Sequence, residues 1–127
     1  MHQGESVVRT TKNDFEYFKK RCLYWAKEFG LLYYQLNFLH EKLDEAQASY
    51  YIHEEASACV VALNTEWVGV ASKNKKALNR ISFHEMFEIT LFGLRGWAGV
   101  TVNMELLDRE THKIVRTIEN LVLGTEV

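Results

Sequence analysis

The sequence predicts an α+β fold, built from an N-terminal helix, a three-stranded antiparallel meander, a second helix and a C-terminal helix. Three observations carry that prediction. Apolar residues recur at three- and four-residue steps before residue 30 and again after residue 77, the period of a helix with one buried face. Between residues 34 and 63 they alternate instead, as in strands with one buried face. The segments joining the alternating runs are shorter than the dozen or so residues that a parallel crossover needs, so antiparallel hairpins are expected.

Residues 1–12 hold no sustained period and are expected to form a flexible lead or an edge extension, leaving a single domain over residues 13–124. In the first helix Phe15, Phe18, Cys22, Trp25, Ala26 and Phe29 form one stripe. Thr11 or Asn13 suits the N-cap, and Gly30 ends the helix. The alternating runs are Tyr34-Leu36-Phe38, Ala48-Tyr50-Ile52 and Cys59-Val61-Leu63, joined around residues 43–46 and 54–56. Residues 41–49 also contain good helix formers, which is a competing reading. Residues 65–75 are expected as a loop with Trp67 and Gly69, and the second helix as running from Ala77 to Leu94. Gly93, Gly96 and Gly99 mark a break. The third helix is expected to start near Asn103 or Asp108 and to end at Leu123, with the stripe Leu107, Thr111, Ile114, Ile118 and Leu121, and with Gly124 as its stop.

Composition narrows the function. The 127 residues carry a net charge of −2 and no proline, and a chain of this length buries roughly two-thirds of its unfolded surface without disulfide staples. Lys73, Lys75, Lys76 and Arg80 cluster as cations, but in a chain of net charge −2, which argues against nucleic-acid binding. No apolar run approaches the roughly 18 residues of a membrane span, and the N-terminus lacks signal-peptide order, so a cytoplasmic address is expected. Cys22 and Cys59 have no metal or redox spacing and are read as reduced core residues. No GxSxG, GxGxxG or GxxxxGK pattern is present, so neither a serine nucleophile nor a nucleotide is indicated.

The informative segment is Phe83-His84-Glu85-Met86-Phe87-Glu88. A hydrolase of the HExxH kind needs two metal ligands four residues apart on one helical face, with a carboxylate beside the first as general base. His84 and Glu88 satisfy the spacing and Glu85 takes the base position. Carboxylate oxygen thus replaces the second imidazole. The chain has two other His-Glu pairs, His40-Glu41 and His53-Glu54. The first spells HExxD with Asp44 but falls in an alternating run, where residues four apart lie roughly 13 Å apart. The second has no ligand four positions after its histidine. A third ligand is best supplied by His112 on the last helix, with Arg116 and Glu119 on the same side. Arg116 suits either a pair with Glu88 or Glu119 or the stabilisation of charge developing on a substrate.

These residues carry a resemblance. Trp25 in an amphipathic first helix, strands ending in Val61-Ala62-Leu63-Asn64, then Phe83–Ile89 and His112–Asn120, together resemble the small zincin-like metallopeptidases of bacteriophages and prophages, over residues 13–123. The resemblance implies Zn²⁺ held by His84, Glu88 and His112, Glu85 and Arg116 as catalytic residues, and a peptide or protein substrate. Two other readings stand beside it. One is a zinc-binding fold without hydrolysis. The other is a metal-free interaction module, for which 7 Phe, 6 Tyr and 3 Trp, including Tyr33-Tyr34 and Tyr50-Tyr51, offer contact surface. On the peptidase reading the third strand is the sheet edge nearest the site, open to strand addition by an extended peptide. The cleft is then built from that strand and the loop between Trp67 and Asn79.

Overall fold

The computed structural model describes residues 6–32, 34–70, 72–98 and 104–124. In chain order the elements are β1 (Val7–Arg9), α1 (Lys12–Glu28), β2 (Gln35–Glu41), β3 (Ala48–His53), a single 3₁₀ turn (Glu54–Ala56), β4 (Ala58–Asn64), β5 (Glu66–Val68), α2 (Lys75–Ala98) and α3 (Met104–Leu123). The α+β class is the one expected. Among the described residues no helix is long and apolar enough to cross a membrane.

Local chemistry explains the ends of α1. Thr11 accepts from the Asp14 amide at 3.1 Å and Asp14 accepts from the Thr11 amide at 2.8 Å, a reciprocal capping box. At the other end Gly30 adopts φ +74°, and the amides of Gly30 and Leu31 turn back onto Lys27 and Ala26. This is a Schellman closure, which a residue with a Cβ would strain. Between the ends Phe18, Cys22, Trp25 and Ala26 are buried on one face. Phe83 of α2 meets Trp25 and Phe29 edge-on, with ring centroids 4.9 and 5.3 Å apart. Both cysteines are buried free thiols, as expected.

The strands lie where the alternation puts them, but they do not form a meander. The sheet order is β2-β4-β3, with β2 parallel to β4 and β3 antiparallel to β4. The expected hairpin between the second and third runs is present. The one between the first and second is not, because β3 crosses past the end of β4 and returns on its far side. The crossover of the parallel pair is therefore β3 itself with its two loops, long enough to satisfy the length rule that excluded parallel pairing. Burial decides which strand is central. The end of β4 is buried on both faces, whereas β2 alternates exposed and half-buried and β3 exposes Tyr51 and His53, the profiles of central and edge strands. The third strand is thus interior rather than the edge expected.

Asn64, at the end of β4, fixes the crossover. Its Oδ1 accepts from the amides of Leu43 and Glu66, and its Nδ2 donates to the carbonyls of Leu43 and Ala46. Residues 42–47 are accordingly a tethered loop and not the competing helix. Within the expected lead, Val7–Arg9 pairs antiparallel with β5, Val7 opposite Val68, and Lys12 opens α1. That is the edge-extension alternative, and it turns part of the expected 65–75 loop into a strand.

Asn74 caps α2 by accepting from the Ala77 amide at 2.9 Å. The helix runs on through Gly93 and Gly96, since each glycine costs a helix only about 1 kcal/mol relative to alanine. Gly99, the third residue of the expected break, and Asn103 lie outside the described residues. In α3 the buried face is Thr111, Val115 and Glu119, while Ile114 and Leu121 of the expected stripe are 50% and 76% exposed. Thr111 and Ile118 of the stripe do face inward, but the helix is turned toward Val115 and Glu119, and a buried Glu119 is a group that apolar periodicity does not register.

Candidate metal centre

Arg80, His84 and Glu88 fall at four-residue steps of α2 and so project from one face. The Nε2 of His84 lies 2.6 Å from Oε2 of Glu88. From α3, Nδ1 of His112 lies 3.3 Å from that same oxygen. The two imidazoles stack with centroids 6.1 Å apart and planes 20° from parallel. One ligand atom from each of His84, Glu88 and His112 falls within 4.8 Å of the others. The sequence-predicted ligand triad is therefore brought together from two helices. The structure also brings the Tyr50 hydroxyl of β3 to Glu88 as a hydrogen-bond donor.

The packing of α3 on α2 makes this possible. Arg80 Nη1 donates to Oε2 of Glu119 at 2.7 Å and to Oδ1 of Asn120 at 3.1 Å, and Nη2 donates to the Gly124 carbonyl. The remaining oxygen of Glu119, Oε1, lies 3.0 Å from Nδ1 of His84. Sequence reasoning places Glu119 beside His112 and leaves Arg116 either to pair with Glu88 or Glu119 or to face a substrate. In the structure Arg80 takes the pairing with Glu119, and Arg116 makes no ion pair with Glu88 or Glu119. The four-residue steps from Arg80 to Glu88 were the signal that would have found Arg80. Nothing in strand alternation singled out Tyr50.

Electrostatics follow the geometry. Burial pulls the His84 imidazole down, but hydrogen bonds to Glu119 and Glu88 overcome it and hold the metal-free ring up to about 10. Burial raises Glu88 and Glu119 while His84 lowers both, with Arg80 adding to the effect at Glu119, and each carboxyl ends below its ordinary value. Glu85 goes the other way. It is 8% exposed, accepts no hydrogen bond from a described residue, and is raised to about 7 by burial and the adjacent Glu88 charge, with His84 offsetting part.

A cavity of about 650 Å³ opens beside the cluster, lined by Ala46–Ala48, by Arg80, Ile81, His84 and Glu85 of α2, and by Arg116, Glu119 and Asn120 of α3. Its wall is the start of β3, not the third strand or the segment between Trp67 and Asn79. Trp67 is buried behind it and donates from Nε1 to the Gln47 carbonyl at 3.2 Å. The other two His-Glu pairs stay apart from the site. His40 stacks on Phe15 and shares a 2.7 Å hydrogen bond with the Thr10 hydroxyl, and His53 closes β3.

No family model, curated protein or solved structure matches the chain. The site's chemistry rests on its own residues. Two imidazole nitrogens and one carboxylate oxygen form a donor set that suits zinc. The carboxylate contacts both imidazoles, and His84 has its second nitrogen backed by Glu119. Those residues fit a divalent cation.

Proposed function

We propose that the chain is a zinc-dependent hydrolase of the metallopeptidase type. The observation that carries the proposal is the convergence of His84, Glu88 and His112 beside a buried Glu85 at the wall of a cavity. His84, Glu88 and His112 would hold the ion. When bound, zinc acts as a Lewis acid toward a carbonyl and lowers the pKa of water toward about 7. Glu85 supplies the general base: the residue lines the cavity next to His84, and its raised value of about 7 matches proton transfer near neutrality. Arg116 lines the same cavity with its guanidinium unpaired among the described residues, and so is available to a carboxylate or a developing oxyanion.

A peptide is the proposed substrate because of β3. Among the described residues β3 pairs only with β4, which leaves its outer backbone edge for strand addition beside Ala46–Ala48. The edge role expected of the third strand thus passes to the second. The resemblance to small zincin-like phage and prophage metallopeptidases agrees with this assignment and implies a cytoplasmic phage or prophage protein.

One specific observation favours a second reading. His84 is bonded at both nitrogens, between Glu88 and Glu119, so the cluster also stands as a metal-free ionic clasp between α2 and α3. The test is zinc-reconstituted protein incubated with a library of extended peptides, with and without a chelator. Cleavage that the chelator abolishes and added zinc restores is the expected result. Bound zinc without cleavage leaves the non-catalytic zinc fold, and no bound zinc leaves the clasp.

A further inference from the structure

We propose that Glu119 is the positioning residue of this centre, holding the His84 ring so that Nδ1 keeps its proton and Nε2 is presented to Glu88 and His112. The inference rests on the metal reading above. It is carried by the way both Glu119 oxygens are used. Oε1 lies 3.0 Å from His84 Nδ1, and Oε2 accepts from Arg80 Nη1 at 2.7 Å. Arg80 is itself gripped by the Asn120 side chain and the Gly124 carbonyl, within the last turn of α3 and its stop. Glu119 is 4% exposed, and both of its carboxylate oxygens are engaged. His84 is thereby clamped from behind, 35 residues away in sequence, while its other nitrogen faces the cluster 2.6 Å from Glu88.

Chemistry gives this clamp a purpose that packing alone does not. A metal-ligating histidine must offer a lone pair at one nitrogen, and a hydrogen bond from the other to a carboxylate fixes that tautomer, aims the ring and raises its basicity. A clasp serving only to hold two helices gains little from a buried ion pair, since apolar side chains of similar volume hold as well without desolvating charge. What a carboxylate adds at position 119 is a directional acceptor for Nδ1–H. Glu119 also lies seven residues beyond His112 on α3. One helix thus supplies both a ligand and the support of the opposing ligand.

The test combines zinc titration with ¹⁵N NMR of histidine-labelled protein, on wild type, on Glu119→Gln and on the double variant Arg80→Gln/Glu119→Gln. The double variant guards against misfolding caused by leaving Arg80 buried without its partner. Zinc-loaded wild type should show a downfield, slowly exchanging proton on His84 Nδ1. Either variant should bind zinc roughly 10- to 100-fold more weakly and lose that downfield position. A wild-type spectrum with His84 Nδ1 unprotonated in the zinc form would overturn the proposal without any variant. So would a folded double variant with wild-type zinc affinity, although the metal centre itself would survive. If wild type binds no zinc, the metal reading fails first and the positioning role with it, even where the Nδ1 proton signal shows the hydrogen bond intact.

Discussion

One oxygen of Glu88 meets both imidazoles of the cluster, His84 at 2.6 Å from within its own helix and His112 at 3.3 Å from the next. The carboxylate that departs from the familiar HExxH pattern is therefore at the centre of the contact network.

Glu85 and Glu88, three residues apart on α2, are given different tasks and should separate on substitution. Glu85→Gln should keep zinc affinity near wild type while lowering turnover by roughly 10²- to 10⁴-fold, the span of general-base effects. Glu88→Gln should weaken zinc binding and lose most of the stabilisation that zinc confers, roughly 2.7 kcal/mol at a hundredfold excess over Kd. Isothermal titration and thermal melts with and without zinc read the two effects apart. Equal zinc affinity in Glu88→Gln and wild type would remove Glu88 as a ligand.

The metal-free protein should report the burial of Glu85 through pH. Burial and Glu88 raise its carboxyl from 4.5 to about 7 in the fold, so the folded state binds this proton more tightly than the unfolded one. Its contribution is present below about 4.5 and is lost as pH rises through about 7. Glu85→Gln, which cannot ionise, should therefore gain stability relative to wild type as pH rises across that window. Denaturant melts at pH 5 and pH 8.5 compare the two, and a pH-independent difference would contradict the burial of a titrating carboxyl.

Asn64→Ala should cost roughly 2–4 kcal/mol, because its 2%-exposed side chain serves four backbone groups that would be left without partners. Amide exchange at Leu43, whose N–H bonds to Asn64 at 3.0 Å, should accelerate in an otherwise folded variant. An unchanged midpoint and an unchanged Leu43 amide would show that the crossover is held by something else.

Much of this was legible in the sequence, and the failures share a cause. The α1 cap at Thr11, the stop at Gly30 and the strand alternation are local signals, and each was read where it stands. The approach of His84 to Glu88 was legible because helix spacing alone puts both on one face, whereas His112 could be named only as a candidate on the last helix until α3 is seen to pack on α2. Strand order was not legible, since it depends on β4 being the strand buried on both sides, which emerges only when α1, α2 and the sheet pack together. The inward face of α3 was read in part: Thr111 is buried and Ile118 packs on the core as the stripe expects, whereas Glu119 is buried for its bonds to His84 and Arg80 rather than for hydrophobicity. Arg80 was seen only as part of a basic cluster, because its partners lie 39 and 40 residues away.

Arg116 should matter for substrate and not for metal. It is exposed on the cavity wall and pairs with neither Glu88 nor Glu119. Arg116→Gln should leave zinc affinity and the melting midpoint within experimental error while raising KM, lowering kcat, or both, for peptides the wild type cleaves. A variant with unaltered kinetics would place Arg116 among ordinary surface cations.

Metal content tests the central claim most directly. Protein purified without chelator, or reconstituted with zinc and desalted, should carry about one zinc per chain by elemental analysis, and His112→Ala treated identically should carry far less. Metal-free wild type that also refuses added zinc, with a melting midpoint indifferent to the ion, would contradict the claim and leave His84, Glu88 and Glu119 as an ionic clasp between two helices.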